Sequence, residues 1–306
     1  MNVVFLSYIN RSGSTFLLNQ LSKVDELCVC PEADILFDLL LSNSEKRIDD
    51  SRKLFQVLTA DFKWKLWRLK KKDIQFSAKS NLDLFLNILS AYRRKHFPKA
   101  TTVIFKHPRL MEIFSLVPQN NRFKWIYLIR NPLAVYASQK ETISPSTRRP
   151  MSRNPLSLID EWNNTYIIFQ QISGFSNTYI VNYETLIQSF DHEMELILDF
   201  ISAGLSWKNC SSKKGFVAEW LSAEYHKIHP NINKAPQFVS IDEKIEKLSP
   251  AAKSIIKKYI IQNEWYVFND TYFHPFLLRL MIIYFRLNRK AFLVRKKMTR
   301  VLKQND

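Results

Sequence analysis

SYINRSGSTFLLNQL, residues 7–21, joins the end of one apolar run to the start of another with a different period. Val3–Tyr8 is β-branched and aromatic on both faces, as a strand covered on each side must be. Phe16, Leu17, Leu18 and Leu21 instead recur at helical spacing. Between the runs stands Gly13, one of only 4 glycines in 306 residues, so it is expected where no other residue fits. Strand, tight turn and helix is the layout in which amides at a helix N-terminus cradle a phosphate. Ser12, Ser14 and Thr15 surround the turn, two hydroxyls can donate from the helix start, and Arg11 adds a cation. The nucleotide loop pattern G-x-x-x-x-G-K-[ST] is not met, because the first glycine and the lysine are both missing. The turn therefore suits a single phosphate-like group rather than a metal-bridged triphosphate. Taken alone, it could also be an ordinary capped strand-to-helix turn.

Outward from this turn the same alternation recurs. Strands are predicted at Val3–Tyr8, Leu27–Cys30, Thr102–Phe105, Lys124–Ile129 and Thr178–Val181. Helices are predicted at Ser14–Leu21, Asn81–Lys95, Pro132–Lys140, Pro155–Gln171, Glu184–Ile201 and Pro250–Ile261. Asn131-Pro132, Asn154-Pro155 and Ser249-Pro250 each set a capping residue before proline at the first helical position. This is an α/β chain, expected as a three-layer P-loop-type fold with a central parallel sheet flanked by helices. A core domain is expected over residues 1–270, with a basic helical tail over 271–306.

Composition excludes several classes. Hydrophobic residues make up 46% and charged residues 24%, the balance of a packed globular protein and not of a disordered one. The formal charge is +17, which points to anionic company. The excess is uneven: Thr271–Asp306 carries nine basic residues and one acid. Cys28, Cys30 and Cys210 form neither a disulfide framework nor a metal-ligand pattern, so they read as buried thiols of a reducing compartment. No signal peptide and no apolar run of ~20 residues is evident, and a cytoplasmic location is expected. Glu141–Asn154 is too long to be a mere connector and is read as a loop of the lid kind. Asp61–Lys72, with its interleaved tryptophans, is read as a solvated helix face whose aromatic side packs inward. His226 and His229 are read as helix-surface residues.

Three further stretches share one logic. WIYLIRNPLAVYASQ, residues 125–139, is a buried strand ending in Arg130, followed by a helix bearing Ser138. Arginine at the C-terminal end of a parallel strand faces the crevice where open α/β sheets bind ligands. Lys106 and His107 close another strand, and Pro31-Glu32 follows a third, which puts Glu32 in the first turn of the next helix.

These residues resemble a known family. RSGSTFLLNQL is similar to the 5′-phosphosulfate loop of the PAPS-dependent sulfotransferases, and IRNPLAVYAS to their 3′-phosphate signature. FKHPRL, residues 105–110, and TYIVNYETL, residues 178–186, resemble a K-x-P strand end and a later strand-to-helix element of the bacterial, carbohydrate and tyrosylprotein branches. The four occur in order over residues 1–248. Asn131 stands where the family more often has aspartate, and the final cofactor loop is echoed only by HPNINKAP, residues 229–236, which contributes Lys234.

The resemblance implies sulfuryl transfer from PAPS to an acceptor hydroxyl, most plausibly of a glycan, with no metal and no nucleic-acid partner. It implies contacts from Arg11, Ser12, Gly13, Ser14, Thr15, Arg130, Ser138, Tyr183 and Lys234 to the donor. Arg11 and Lys106 would stabilise the leaving group, and Glu32 would take the hydroxyl proton, with His107 the competing base and Asp34 the weaker one. The rivals are a non-catalytic polyanion or membrane binder, resting on charge alone, and a P-loop small-molecule kinase, opposed by the missing lysine. Arg279, Arg286, Lys290 and Lys297 share a helical stripe, so residues 276–303 are expected either to dock on the anionic inner face of a membrane or to close the domain's own core.

Overall fold

A computed structural model describes residues 1–42, 51–61, 63–144, 147–152, 154–210, 213, 215, 217, 241–262, 266 and 282–286. Lys234, His226 and His229 lie outside the described residues, as does the tail apart from residues 282–286.

The chain divides into two compact units, residues 1–130 with 167–238 and residues 131–166 with 239–306. The first is built on five parallel strands, β1 (Asn2–Tyr8), β2 (Leu27–Val29), β3 (Thr102–Lys106), β4 (Phe123–Ile129) and β5 (Thr178–Asn182), in the order β2-β3-β1-β4-β5. Register follows the hydrophobic pattern: Leu6 pairs with Lys106, Tyr8 with Leu128, and Ile129 with Asn182. All seven residues of β1 except Asn2 are buried, because helices cover both sheet faces.

On one face Val4, Leu6 and Tyr8 meet Leu17, Leu18 and Leu21 of α1 (Ser14–Leu21). Leu186 of α7 (Tyr183–Gln188) and Met194, Ile197 and Leu198 of α8 (Phe190–Ile201) complete that layer. The opposite face is aromatic. Phe5 stacks at 4.4 Å on Trp125 and at 6.1 Å on Phe85 of α4 (Asn81–His96), whose ring meets Phe105 edge-on at 5.1 Å. The three cysteines are buried and free.

The five strands fall where the sequence places them, to within a residue at either end. The region expected as one helix over Glu184–Ile201 is two, because Ser189 leaves helical geometry at φ −125° and ψ 50°. That break lets Phe190 turn onto Phe16 at 5.8 Å and Trp207 at 5.6 Å. Asp61–Lys72 is not one helix face either. It forms 3₁₀ turns over Trp64–Trp67 and Lys71–Asp73. Residues three apart eclipse in that geometry, and Trp64 and Trp67 stack at 5.7 Å, both buried. This unit also holds helices α2 (Asp34–Leu41) and α3 (Ser51–Ala60) and 3₁₀ turns over Leu110–Leu116 and Trp207–Asn209.

In the second unit α5 (Pro132–Glu141) opens on Asn131, whose side chain accepts from the Leu133 amide at 2.9 Å. The helix α6 (Pro155–Ile172) brings Asn163, which donates to the Tyr259 carbonyl at 2.8 Å and accepts from the Ile261 amide at 2.8 Å. It thereby ties down the end of α10 (Pro250–Tyr259), while Lys244 of α9 (Ile241–Glu246) pairs with Glu141 at 3.0 Å. The predicted long loop 141–154 is folded back on itself by a bridge between Ile143 and Pro150. In the tail, Ile282 is buried and the Phe285 carbonyl accepts from Asn154 at 2.8 Å, while Ile283 and Tyr284 are exposed. That turn is held by its own domain.

Phe5 anchors the aromatic face, so Phe5→Ala should cost about 3–5 kcal/mol of stability. Thermal denaturation of the variant beside wild type measures it, and an unchanged melting temperature would contradict the packing described.

Candidate active site

Strand order sets the site. From β1 the chain moves past β3 to β2, then returns to the other side for β4 and β5, so the C-terminal ends of β1, β3 and β4 flank a topological switch point. Each of the five strand ends contributes a functional side chain: Arg11 after β1, Glu32 after β2, Lys106 closing β3, Arg130 after β4 and Tyr183 after β5.

The β1–α1 turn is bent by two left-handed residues, Arg11 at φ 80° and Gly13 at φ 94°. Arginine there is strained, and its carbonyl is held by Arg130 Nη1 at 2.9 Å. Gly13 is required twice over. Its φ suits glycine, and a Cβ would run into the Tyr183 ring. The same ring carries the Arg130 guanidinium on its face at 4.4 Å, so Tyr183 is a strut between the turn and that arginine. No side chain caps α1, which leaves its first-turn amides to be met from outside the helix. Ser12 Oγ and Arg130 Nε are buried without a hydrogen-bond partner among the described residues. Burial, and then the like charge of Arg130, push the Arg11 guanidinium down to about 10. Two arginines that repel each other beside unmet donors have the chemistry to hold an anion.

Glu32 lies on the other side of the turn. It was expected in the first turn of a helix, but α2 begins only at Asp34, with Ala33 extended at φ −146° and ψ 114°. The cause is a cap from a distant residue: Asp61 Oδ2 accepts from the Ile35 amide at 3.3 Å. Released from the helix, Glu32 points among cations. Its Oε1 accepts from Lys63 at 2.8 Å, and its Oε2 accepts from the Tyr8 hydroxyl at 2.9 Å and lies 3.9 Å from Lys106 Nζ. Burial opposes ionisation of this carboxyl, yet Lys106 and Lys63 outweigh it and hold it below the ordinary value. Lys106 also donates to Thr15 Oγ1 at 3.1 Å, so one ammonium touches both the phosphate turn and the carboxylate. Desolvation lowers its pKa, with Glu32 opposing the fall.

Two side chains were missed or misplaced by the sequence reading. Lys63 sits in the segment taken for a solvated face, and only its spacing after Asp61 hints at a role. Asp34, taken to point elsewhere, accepts from Lys63 at 3.2 Å and from His107 Nε2 at 3.2 Å. The His107 hydrogen bond, with help from Lys63, brings the Asp34 carboxyl down to about 2. His107 itself is committed. The Arg109 amide donates to its Nδ1 at 3.3 Å, so the proton resides on Nε2 and points at Asp34. Glu32, Asp34 and His107 hold potential ligand atoms within 4.8 Å of one another, and the Lys63 ammonium bonds to two of these side chains.

The structure thus brings together Arg11, Ser12, Gly13, Ser14, Thr15, Glu32, Lys106, Arg130 and Tyr183. Ser138 is buried on α5 in the second unit, and Lys234 is outside the described residues. A family model described as the sulfotransferase family matches residues 4–209, which include every one of the residues brought together. The chain belongs to the sulfotransferase family. Solved sulfotransferases are similar to it at low identity. The sulfotransferase domain of the Synechococcus PCC 7002 olefin synthase is 18% identical, over 83% of this chain and 94% of that one, with a TM-score of 0.44. Mouse sulfotransferase SULT7A1, complexed with PAP, is 12% identical over 84% and 82%, with a TM-score of 0.44. Sulfotransferase STF1 from Mycobacterium tuberculosis H37Rv is 11% identical over 81% and 77%, with a TM-score of 0.40. Comparison with curated proteins gives no match.

Gly13→Ala should destabilise the fold through both backbone strain, about 1–2 kcal/mol, and collision with Tyr183. The double variant Gly13→Ala with Tyr183→Ala removes only the collision. Denaturant titration should place the double variant closer to Tyr183→Ala alone than Gly13→Ala lies to wild type. Equal costs would mean that the ring does not cover Gly13.

Proposed function

We propose that this sulfotransferase moves the sulfuryl group of PAPS to an acceptor hydroxyl, with Glu32 as general base and a glycan as the acceptor. The observation that carries the donor assignment is the pair of arginines around the Arg11–Gly13 turn, with Ser12 Oγ and Arg130 Nε buried and unmet among the described residues. The two ends of PAPS supply two separated anions, a 5′-phosphosulfate and a 3′-phosphate, and an activated sulfuryl group. Arg11 and the first amides of α1 face the 5′ group, and Arg130 faces the 3′ group.

In the transfer the acceptor oxygen bonds to sulfur while the bond from sulfur to the 5′-phosphate oxygen breaks. The chain positions the partners and stabilises the charge that moves. Lys106 stands between Thr15 and Glu32, where it meets negative charge growing on the leaving phosphate. Glu32 takes the hydroxyl proton. The base assignment to Glu32 over His107 is supported by the tautomer, since Nδ1 of His107 accepts from a backbone amide and Nε2 already carries a proton. Proton uptake by Glu32 also removes the negative charge that partly neutralises Lys106, leaving that ammonium more fully available to the leaving group.

The acceptor reading rests on the segment that delivers Lys63. Beyond it Lys65, Arg68, Lys70, Lys71 and Lys72 are all exposed, a row of cations suited to an anionic glycan chain. Labelled sulfate from PAPS should pass to acidic glycans in preference to neutral glycans, lipids and peptides. Transfer to a lipid or peptide alone would overturn the glycan reading and leave the donor assignment standing.

Two outcomes test the donor and the base. Calorimetry should show PAP bound more tightly than AMP, and Arg130→Ala should erase the difference, at a cost of about 1.5–3 kcal/mol. Equal affinity of wild type for the two nucleotides would refute the 3′-phosphate assignment. Glu32→Gln should keep PAP binding and lower kcat by about 10²-fold or more. The pH dependence follows from the depressed Glu32 carboxyl. A base works only when ionised, so wild-type kcat should hold as pH falls and drop only below the ordinary glutamate value of about 4.3.

A further inference from the structure

We propose that Lys63 is the positioning residue of the base: its ammonium pins Glu32 Oε1 and so leaves Oε2 turned toward Lys106 and the reacting groups. The inference rests on Glu32 being that base. Its grounds are geometric. Lys63 Nζ lies 2.8 Å from Oε1, while Oε2 lies 3.9 Å from Lys106 Nζ, which in turn donates to the Thr15 hydroxyl. A carboxylate at a strand end has a free χ3 torsion, and one fixed oxygen decides where the other points.

Lys63 is itself held on every side. Its backbone amide donates to Asp61 Oδ1 at 2.8 Å, and the other oxygen of Asp61 caps α2 at Ile35. The following turn is bolted down by Trp64 and Trp67, and Trp67 meets Tyr92 of α4 edge-on at 4.9 Å. The ammonium is braced from a second direction by both oxygens of Asp34, at 3.2 and 3.3 Å, and Asp34 is fixed in turn by His107. A lysine serving only as a solvated surface charge has no need of such a seat. Burial works against this ammonium, but Glu32 and Asp34 outweigh it and raise its pKa. It stays charged throughout the working range.

Among the described residues the charged and titratable groups that face Glu32 are Lys63 at the start of the 3₁₀ turn, Lys106 and His107 from the end of β3, Tyr8 from β1, and Asp34 from α2 beyond Lys63. With Lys63 neutralised, burial of Glu32 is opposed by Lys106 at 3.9 Å and, as a smaller contribution, by His107. The acid limb of kcat should move upward by about one pH unit or more. A purely structural lysine would alter stability and leave that limb in place.

The test compares pH profiles of kcat for wild type, Lys63→Met and Lys63→Arg, with PAP affinity measured on each. Lys63→Met should shift the acid limb up while binding PAP within about twofold of wild type, and Lys63→Arg should keep the wild-type limb. A second route uses Lys63→Cys alkylated with 2-bromoethylamine, in which the thiolate displaces bromide and restores an ammonium. The three native thiols are buried, which favours reaction at the introduced one. Alkylation should return the acid limb to the wild-type position, a gain in kcat that approaches about tenfold on the descending part of that limb, the equivalent of one unit. An unmoved limb in Lys63→Met, in a background where Glu32→Gln is inactive, overturns the proposal and leaves Glu32 as the base. A Lys63→Met protein that no longer melts cooperatively or no longer binds PAP assigns Lys63 to the fold and also overturns it. Near-full turnover of Glu32→Gln instead removes the base reading on which it stands.

Discussion

A half-buried carboxylate at the end of a parallel sheet is held ionised by cations, and meeting Glu32 organises much of the first unit. An isolated buried carboxylate would take up a proton instead of remaining charged. Here Lys106 and Lys63 approach it from opposite sides, one from a strand in the sheet and one from a segment 31 residues away in sequence. Bringing the second lysine in requires the turn at Asp61, and that aspartate then caps α2. The two buried tryptophans that hold the turn are therefore part of the electrostatic arrangement as much as of the core. Within this group Lys63 and Lys106 balance Glu32 and Asp34, so four ionised side chains carry no net charge.

The side of the site around the β1–α1 turn is organised by the opposite imbalance. Arg11 and Arg130 repel each other, Arg11 is strained at φ 80°, and Ser12 Oγ and Arg130 Nε have no partner among the described residues. Each of these costs stability unless a ligand repays it. Tyr183 supplies the compensation available in the fold itself, with one ring edge over Gly13 and its face under Arg130. The β1–α1 turn and Arg130 are thus joined through a single ring and one hydrogen bond to the Arg11 carbonyl.

Strands and most helix starts were legible because they follow local rules. Doubly covered strands are apolar on both faces, and Asn131 and Ser249 each cap a helix begun by proline. The strand-to-helix turn after β1 was legible because a rare glycine marked it. Glu32 was read correctly as facing the strand ends but wrongly as helical, since the cap on α2 comes from Asp61 and not from a neighbour in sequence. Lys63 was illegible for the same reason: its partners are set by tertiary structure, and a lysine between tryptophans looks like any amphipathic surface. The break at Ser189 likewise reflects packing of Phe190 against Phe16 and Trp207, which no helical periodicity encodes.

His107 shows why residue type alone does not identify a base. It stands beside Lys106 at a strand end, with a ring that titrates near neutrality in solution, and on chemistry alone it outranks a carboxylate. Its surroundings assign it elsewhere. Phe37 stacks on the ring at 4.3 Å, and the Arg109 guanidinium lies over the Phe37 ring at 4.8 Å. One ring nitrogen accepts a backbone hydrogen bond, and the other donates to Asp34, which braces Lys63. A histidine clamped in this way cannot accept a proton at Nδ1 without giving up the Arg109 amide, nor turn without releasing Asp34. Glu32 has the complementary property. Its Oε2 carries one hydrogen bond from Tyr8 and has a remaining lone pair on the side of Lys106, so the weaker base in solution is the one with an oxygen to offer.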